Sequence, residues 1–131
     1  RSNGDRVEAW KSAVVMVQEK PVIGYGILQS GKVYLQSYRT AADTQGLGHF
    51  HNIYVQTAVD SGILGFIGLI TFMVYSLWMF RRWDSPYTLM GFCAWIGFIV
   101  VGFFDYTWGM SAAVKTLWFV TGCSLRLYGD A

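Results

Sequence analysis

Charge is what this sequence has little of. Only 14% of its 131 residues are Asp, Glu, Lys or Arg, against 53% that are hydrophobic. That balance is unlike a water-soluble domain and fits a membrane protein. The basic residues are spread out and the net charge is +2, so there is no electrostatic footprint for nucleic acid. Cysteine occurs twice, as Cys93 and Cys123, each inside an apolar run. Both read as small apolar packers, which leaves no disulfide framework and no statement about redox compartment. No leader pattern opens the given sequence, so any targeting signal is expected to lie upstream or to be absent. The chain opens on Arg1 in polar sequence and is expected to be an internal or C-terminal piece of a longer membrane protein. Gly24-x-Gly26 lacks the third glycine of a dinucleotide loop, because Gln29 holds that place. The element before it reads as a proline-ended helix where a strand is required.

Long apolar runs are present. Three are expected to cross a bilayer, at about 62–80, 87–104 and 109–125, the last interrupted by Lys115. About 20 apolar residues suffice to cross the hydrocarbon. The short joints between the runs force neighbouring helices to be antiparallel. Arg81 and Arg82 end the first run and Arg126 ends the third, which marks those ends as cytoplasmic by the positive-inside rule. Residues 1–52 then form an extracytoplasmic loop and 53–131 the membrane part. The fold class is all-α integral membrane. Within the loop, Val7, Trp10, Ala13, Val14 and Val17 fall on one face of a helix over 7–20 that Pro21 ends. Gly24 and Gly26 make a turn, and 32–39 is expected to be a short strand or an extended stretch.

The outer mouth of the first span carries His51-Asn52. Asn52 suits a helix N-cap, and the helix's positive end would then lie beside His51, a place that favours anions. Ala58, Gly62 and Gly65 share one face of that helix, and small residues there allow close helix approach. His51 is therefore expected to face the protein interior as a candidate acid–base group. The plainer reading is a polar loop histidine. His49-x-His51 offers two imidazoles, but no cysteine or third histidine stands near; zinc sites use three or four ligands, so no metal is expected. Arg6, one helical turn before Trp10, has the planar fork that suits phosphate oxygens. Its plainer reading is a solvated arginine at a helix start. Asp105 and Lys115 are costly at membrane depth and are expected to form an ion pair across adjacent helices.

His51-Asn52, nine residues, Gly62, two residues, Gly65 resembles the signature of the O-antigen ligase and polymerase family of bacterial membrane glycosyltransferases. Tyr54 and Asp60 are similar to its aromatic and acidic positions, although glutamate is commoner at the latter. Upstream, Arg6, Trp10, Pro21, Gly24 and Gly26 resemble the family's Arg-x-x-x-Trp helix and Pro-x-x-Gly-x-Gly turn. The resemblance runs over about 3–82; the last two spans match only in kind. It implies a C-type glycosyltransferase fold, of which this chain would hold part of the extracytoplasmic loop and the C-terminal three transmembrane helices.

The implied activity is transfer or polymerisation of a glycan from an undecaprenyl-diphosphate-linked donor. The acceptor is lipid A-core or a growing glycan, at the outer face of the bacterial inner membrane. No metal and no cofactor are implied. His51 is implied as the base or positioner for the acceptor hydroxyl and Arg6 as the donor-diphosphate ligand. Asn52, Asp60, Gly62 and Gly65 are implied as support. A further arginine of the family lies in an earlier loop outside this chain, so the chain alone is expected to be inactive. Three alternatives stand beside this reading: a protein O-oligosaccharyltransferase, which shares the motif, a non-catalytic transporter or flippase piece that handles the same lipid, and, last, a non-catalytic membrane scaffold.

Overall fold

The computed structural model describes residues 3–41, 43, 46, 48–82 and 85–129. In chain order the elements are α1 (Asn3–Glu19), α2 (Ser30–Val33) continued by a π-helical turn (Tyr34–Tyr38), α3 (Ile53–Met79), α4 (Pro86–Gly102), a 3-10 turn (Thr107–Gly109) and α5 (Ser111–Gly129). No strand occurs among the described residues. Of the segment 32–39, expected to be a short strand or extended, residues 32–38 are therefore helical and Arg39 is extended. Its two tyrosines explain why. Tyr34 is buried edge-on against Phe50 and donates its phenol proton to Asp43 at 2.8 Å. Tyr38 bonds Glu19 and Tyr25 through its hydroxyl, and its carbonyl accepts from Ser12 Oγ at 2.9 Å. One helical turn brings both rings toward α1, which strand alternation would not do.

The buried face of α1 is Ala9, Ser12, Ala13 and Met16, packed with Tyr34, Phe50 and Val59. Of the expected face, Trp10, Ala13 and Val17 do pack in this cluster, and two residues do not. Val7 and Val14 are exposed, at 48% and 58%. Ala9 and Ala13 are buried where α1 meets Val59 of α3.

Asn52 caps α3. Its Oδ1 accepts from the amides of Tyr54 and Val55 at 2.9 and 3.0 Å, satisfying two first-turn donors. The 27 residues of α3 would extend about 40 Å, more than a bilayer's hydrocarbon needs. The helix is in fact broken at Gly62, where φ is 62° and ψ −160°. The Pro21–Gly26 turn supplies the bonds the break forfeits. Ile63 N donates to Pro21 O at 2.8 Å, and Leu64 N to Val22 O at 3.4 Å. In return Tyr25 N donates to Val59 O at 2.9 Å and Gly26 N to Asp60 O at 2.8 Å. A Cβ on Gly62 would stand 2.4 Å from the Val22 carbonyl, and one on Gly24 2.5 Å from Val59 O. The expected stripe of Ala58, Gly62 and Gly65 on one continuous face is thus interrupted, and the apolar run expected over 62–80 begins at the break.

Helix α4 starts with Ser85 as its cap and Pro86 in its first turn. It runs antiparallel to α3. Gly102 near its end lies against Ile53, and Gly91 near its start lies against Phe80. Helix α5 returns along α4, where Trp95 Nε1 donates to Thr121 Oγ1 at 3.1 Å inside a cluster holding Leu69, Met73, Phe98 and Leu117. Of the three expected spans, α3 alone among the described residues is long and apolar enough to cross a membrane. Helix α4 is apolar but has 17 residues. Ile67, Val74 and Trp78 on α3, Val100 on α4 and Phe119 on α5 are exposed, an apolar surface suited to lipid or to further helices.

Candidate functional site

Residues 49–52 are held from two sides just before α3 begins. Trp10 Nε1 donates to Phe50 O at 2.8 Å, and Phe50 N donates to Gln56 Oε1 at 3.0 Å. Between these anchors His51 takes φ 48°, a left-handed conformation uncommon for residues with a β-carbon, though less so for histidine than for most. Such strain persists only where surroundings over-determine it, and it clusters at functional sites. The His51 residue is 5% exposed. The imidazole ring of His49 lies 4.0 Å from it, centroid to centroid.

The connector after α4 closes over this segment. Asn52 Nδ2 donates to Phe103 O at 3.0 Å, and Arg6 donates to Phe104 O at 3.2 Å. These bonds deliver Asp105 to His51. Its Oδ1 lies 3.1 Å from His51 Nδ1 and accepts from the Tyr106 amide at 2.7 Å. With a proton on Nδ1, the imidazole donates to the carboxylate and leaves Nε2 as its free lone pair. Burial pushes the Asp105 carboxyl up, but the Tyr106 amide, the His51 bond and the positive potential of both histidines outweigh it. The net result lies below the usual carboxylate range.

A cavity of about 470 Å³ opens beside the pair, lined in part by His49, His51, Gln56, Asp60, Asp105 and Tyr106. Its floor is a buried polar network. Gln56 Nε2 donates to Ser30 Oγ at 2.9 Å and to Asp60 Oδ2 at 3.1 Å, and the Ser30 hydroxyl donates to Asp60 Oδ1. Burial, with the Asp60 charge adding to it, pushes the Tyr106 phenol up and keeps it a hydroxyl.

The expected site residues fall as follows. His51, Asn52 and Asp60 come together at the cavity and its cap. Arg6 reaches the same connector but is not among the described residues lining the cavity. The first-turn amides expected to receive an anion are filled by Asn52 itself. Gly62 and Gly65 serve the helix; Gly62 sets the break, and a Cβ on Gly65 would meet the Ser61 side chain. The expected Asp105–Lys115 pair is not made. Asp105 is taken by His51, and Lys115 is exposed without an ion pair among the described residues. The same finding corrects the reason for setting metal aside. His49, His51 and Asp105 form a three-donor group whose ligand atoms lie within 4.8 Å of one another. Sequence reading missed Ser30, Gln56 and Tyr106. It also missed Asp105 as the partner of His51, although the antiparallel topology had put both on one side of the bilayer.

The family model described as O-antigen ligase matches residues 1–70, which carry the Arg6–Trp10 helix, the Pro21–Gly26 turn and the start of α3. An uncharacterized protein of Haemophilus influenzae is 29% identical over 84 residues, 62% of this chain. That stretch is 21% of the relative's length, so the chain spans about a fifth of it. With more than half of its residues matched, the chain belongs to the O-antigen ligase family, membrane-associated enzymes of glycan transfer.

Proposed function

We propose that the complete protein transfers a glycan from an undecaprenyl-diphosphate-linked donor to a hydroxyl of a lipid A-core or growing-glycan acceptor. The reaction takes place at the outer face of the bacterial inner membrane, with α3, α4 and α5 all embedded. The observation that carries this reading is the His51 Nδ1–Asp105 Oδ1 contact of 3.1 Å at the cavity wall. Asp105 orients the imidazole and His51 Nε2 takes the acceptor's proton. The acceptor oxygen bonds to the anomeric carbon as the bond from that carbon to the phosphate oxygen breaks, and the diphosphate leaves with the electron pair. General-base help of this kind is worth about 10²–10⁴ in rate. The departing charge needs positive groups placed for it, and Arg6, bonded to the connector that carries Asp105, is assigned to it, together with an arginine from an earlier loop. The reaction draws on no metal and no cofactor.

The test is turnover by the full-length protein, purified in detergent, with lipid-linked glycan as donor. His51→Ala is expected to lower transfer about 10²–10⁴-fold. Asp105→Asn is expected to lower it at least about tenfold, with Asp105→Glu recovering part of the loss. Normal transfer by folded His51→Ala rejects the assignment. Glycan, lipid A-core and peptide acceptors offered in turn separate ligase, polymerase and protein-glycosylating activity. Donor binding with no turnover on any acceptor supports the transporter alternative.

A further inference from the structure

The His49 imidazole has no part in the proton transfer above, yet it stands against His51. Its Nδ1 faces the His51 amide at 3.4 Å. Two imidazoles and a carboxylate with ligand atoms within 4.8 Å of one another make the nitrogen-and-oxygen donor set that suits zinc, copper(II) or nickel(II). Ligand atoms around a tetrahedral zinc lie about 3.3 Å apart, given bonds of roughly 2.0–2.1 Å. The His51–Asp105 separation of 3.1 Å already meets that spacing, and with all three ligand atoms within 4.8 Å of one another His49 has at most about 1.5 Å to close. His49 is half-buried on a short segment before α3, where a side-chain rotation supplies such a movement. The cavity leaves a fourth position open to water.

We propose that His49, His51 and Asp105 form a binding site for a divalent transition-metal ion of the zinc class, and that the ion switches the transfer reaction off. The site itself stands on the three donors; the switching rests on the role proposed for His51. Metal binding needs a neutral imidazole, so the ring proton of His51 sits on the nitrogen the ion does not use, and an ion at Nδ1 moves that proton to Nε2. Either ring nitrogen of His51 gives the same result. At Nδ1 the metal replaces the Asp105 hydrogen bond, and at Nε2 it occupies the lone pair that would take the acceptor's proton. Zinc would therefore act as an inhibitor, competing with the acceptor's proton for the imidazole.

The experiment uses full-length protein without a histidine tag, in detergent, with zinc chloride delivered against a chromophoric chelator. One zinc per protein is expected, and cobalt(II) is expected to give the visible bands of a low-coordinate nitrogen–oxygen site. Losing an outer-sphere partner weakens metal binding about 10–100-fold. A direct ligand is worth no less, so His49→Gln is expected to weaken zinc binding at least about 10-fold. It should shift the zinc concentration that halves glycan transfer by the same factor. The cobalt spectrum of the wild type serves as the readout if His49→Gln does not fold. No stoichiometric zinc and no cobalt bands in the wild type overturn the site, as does equal zinc affinity in folded His49→Gln. Zinc bound through His49 with transfer undiminished overturns the switch. Zinc bound through His49 in a protein that transfers no glycan under any condition leaves the site standing and rejects the transferase reading instead.

Discussion

Tyr34 shows how much of the site rests on single side chains far from it in sequence. Its ring packs on Phe50, the residue before His51, and its hydroxyl donates to an Asp43 carboxylate whose side chain is fully buried. Arg39 approaches the same carboxylate at 3.7 Å and donates to the Asp43 carbonyl. Tyr34→Phe keeps the ring but removes a bond to a buried charge, at a cost of about 1–3 kcal/mol. The thermal midpoint in detergent is expected to fall, with transfer at permissive temperature little changed. Burial, the Asp43 hydrogen bond and the Asp43 charge all raise the Tyr34 phenol above its ordinary value. A group raised on folding contributes stability that is complete below its unfolded pKa, about 10 for tyrosine, and is lost as pH rises beyond it. The wild-type midpoint should therefore drop above about pH 10, and less steeply in Tyr34→Phe. Equal slopes in the two proteins would show that this phenol does not couple to folding.

At the scale of elements, the joint between the Pro21–Gly26 turn and the break in α3 organises the site. Four backbone bonds cross it, and they fix where the first two turns of α3 point relative to the apolar run below. Gly62→Ala imposes a left-handed conformation on a β-carbon and drives that carbon to 2.4 Å from the Val22 carbonyl. The first effect alone costs about 1–3 kcal/mol, and the second forces the turn away. Gly68→Ala, further along α3, meets nothing within 4 Å and is expected to be neutral or to stabilise by up to about 1 kcal/mol. Thermal midpoints of the two variants check the contrast; equal effects would mean that the break is not maintained by Gly62. Much of this element was legible in the sequence. Asn52 announces its cap by chemistry, Pro21 ends α1, and the apolar run stops at Arg81. The break was not, because a glycine that allows close packing and a glycine that ends a helix look identical in one sequence. The pattern Ala58, Gly62, Gly65 fits both. The helical 32–38 segment was hidden for a related reason: its tyrosines suit a strand and are turned helical by partners at Glu19, Asp43 and Phe50. The His51–Asp105 contact joins positions 54 apart in sequence, and no local spacing encodes it.

Over the whole molecule, antiparallel packing gathers every group of the site at one end. Asn52 is tied to Phe103 and Ile53 touches Gly102, while Phe80 rests on Gly91 at the opposite end beside Arg81 and Arg82. Arg81 also lies over the Trp78 ring at 4.1 Å, a pairing suited to the level of lipid headgroups. On the topology proposed above, the side on which the cavity opens follows from where this basic end goes, and the positive-inside rule favours the cytoplasm for it. With Cys93 and Cys123 replaced by alanine, Gln36→Cys and Arg82→Cys report the two ends; both positions are exposed, and Arg81 still holds the orientation in the second variant. A membrane-impermeant maleimide is expected to label Gln36→Cys in intact cells and Arg82→Cys only after the inner membrane is opened. The reverse pattern would put His51 in the cytosol, out of reach of a donor displayed on the outer leaflet. Labelling of both positions in intact cells would mean that α3 does not cross the bilayer at all, and the transfer reaction proposed for its outer tip would have no membrane face to work on.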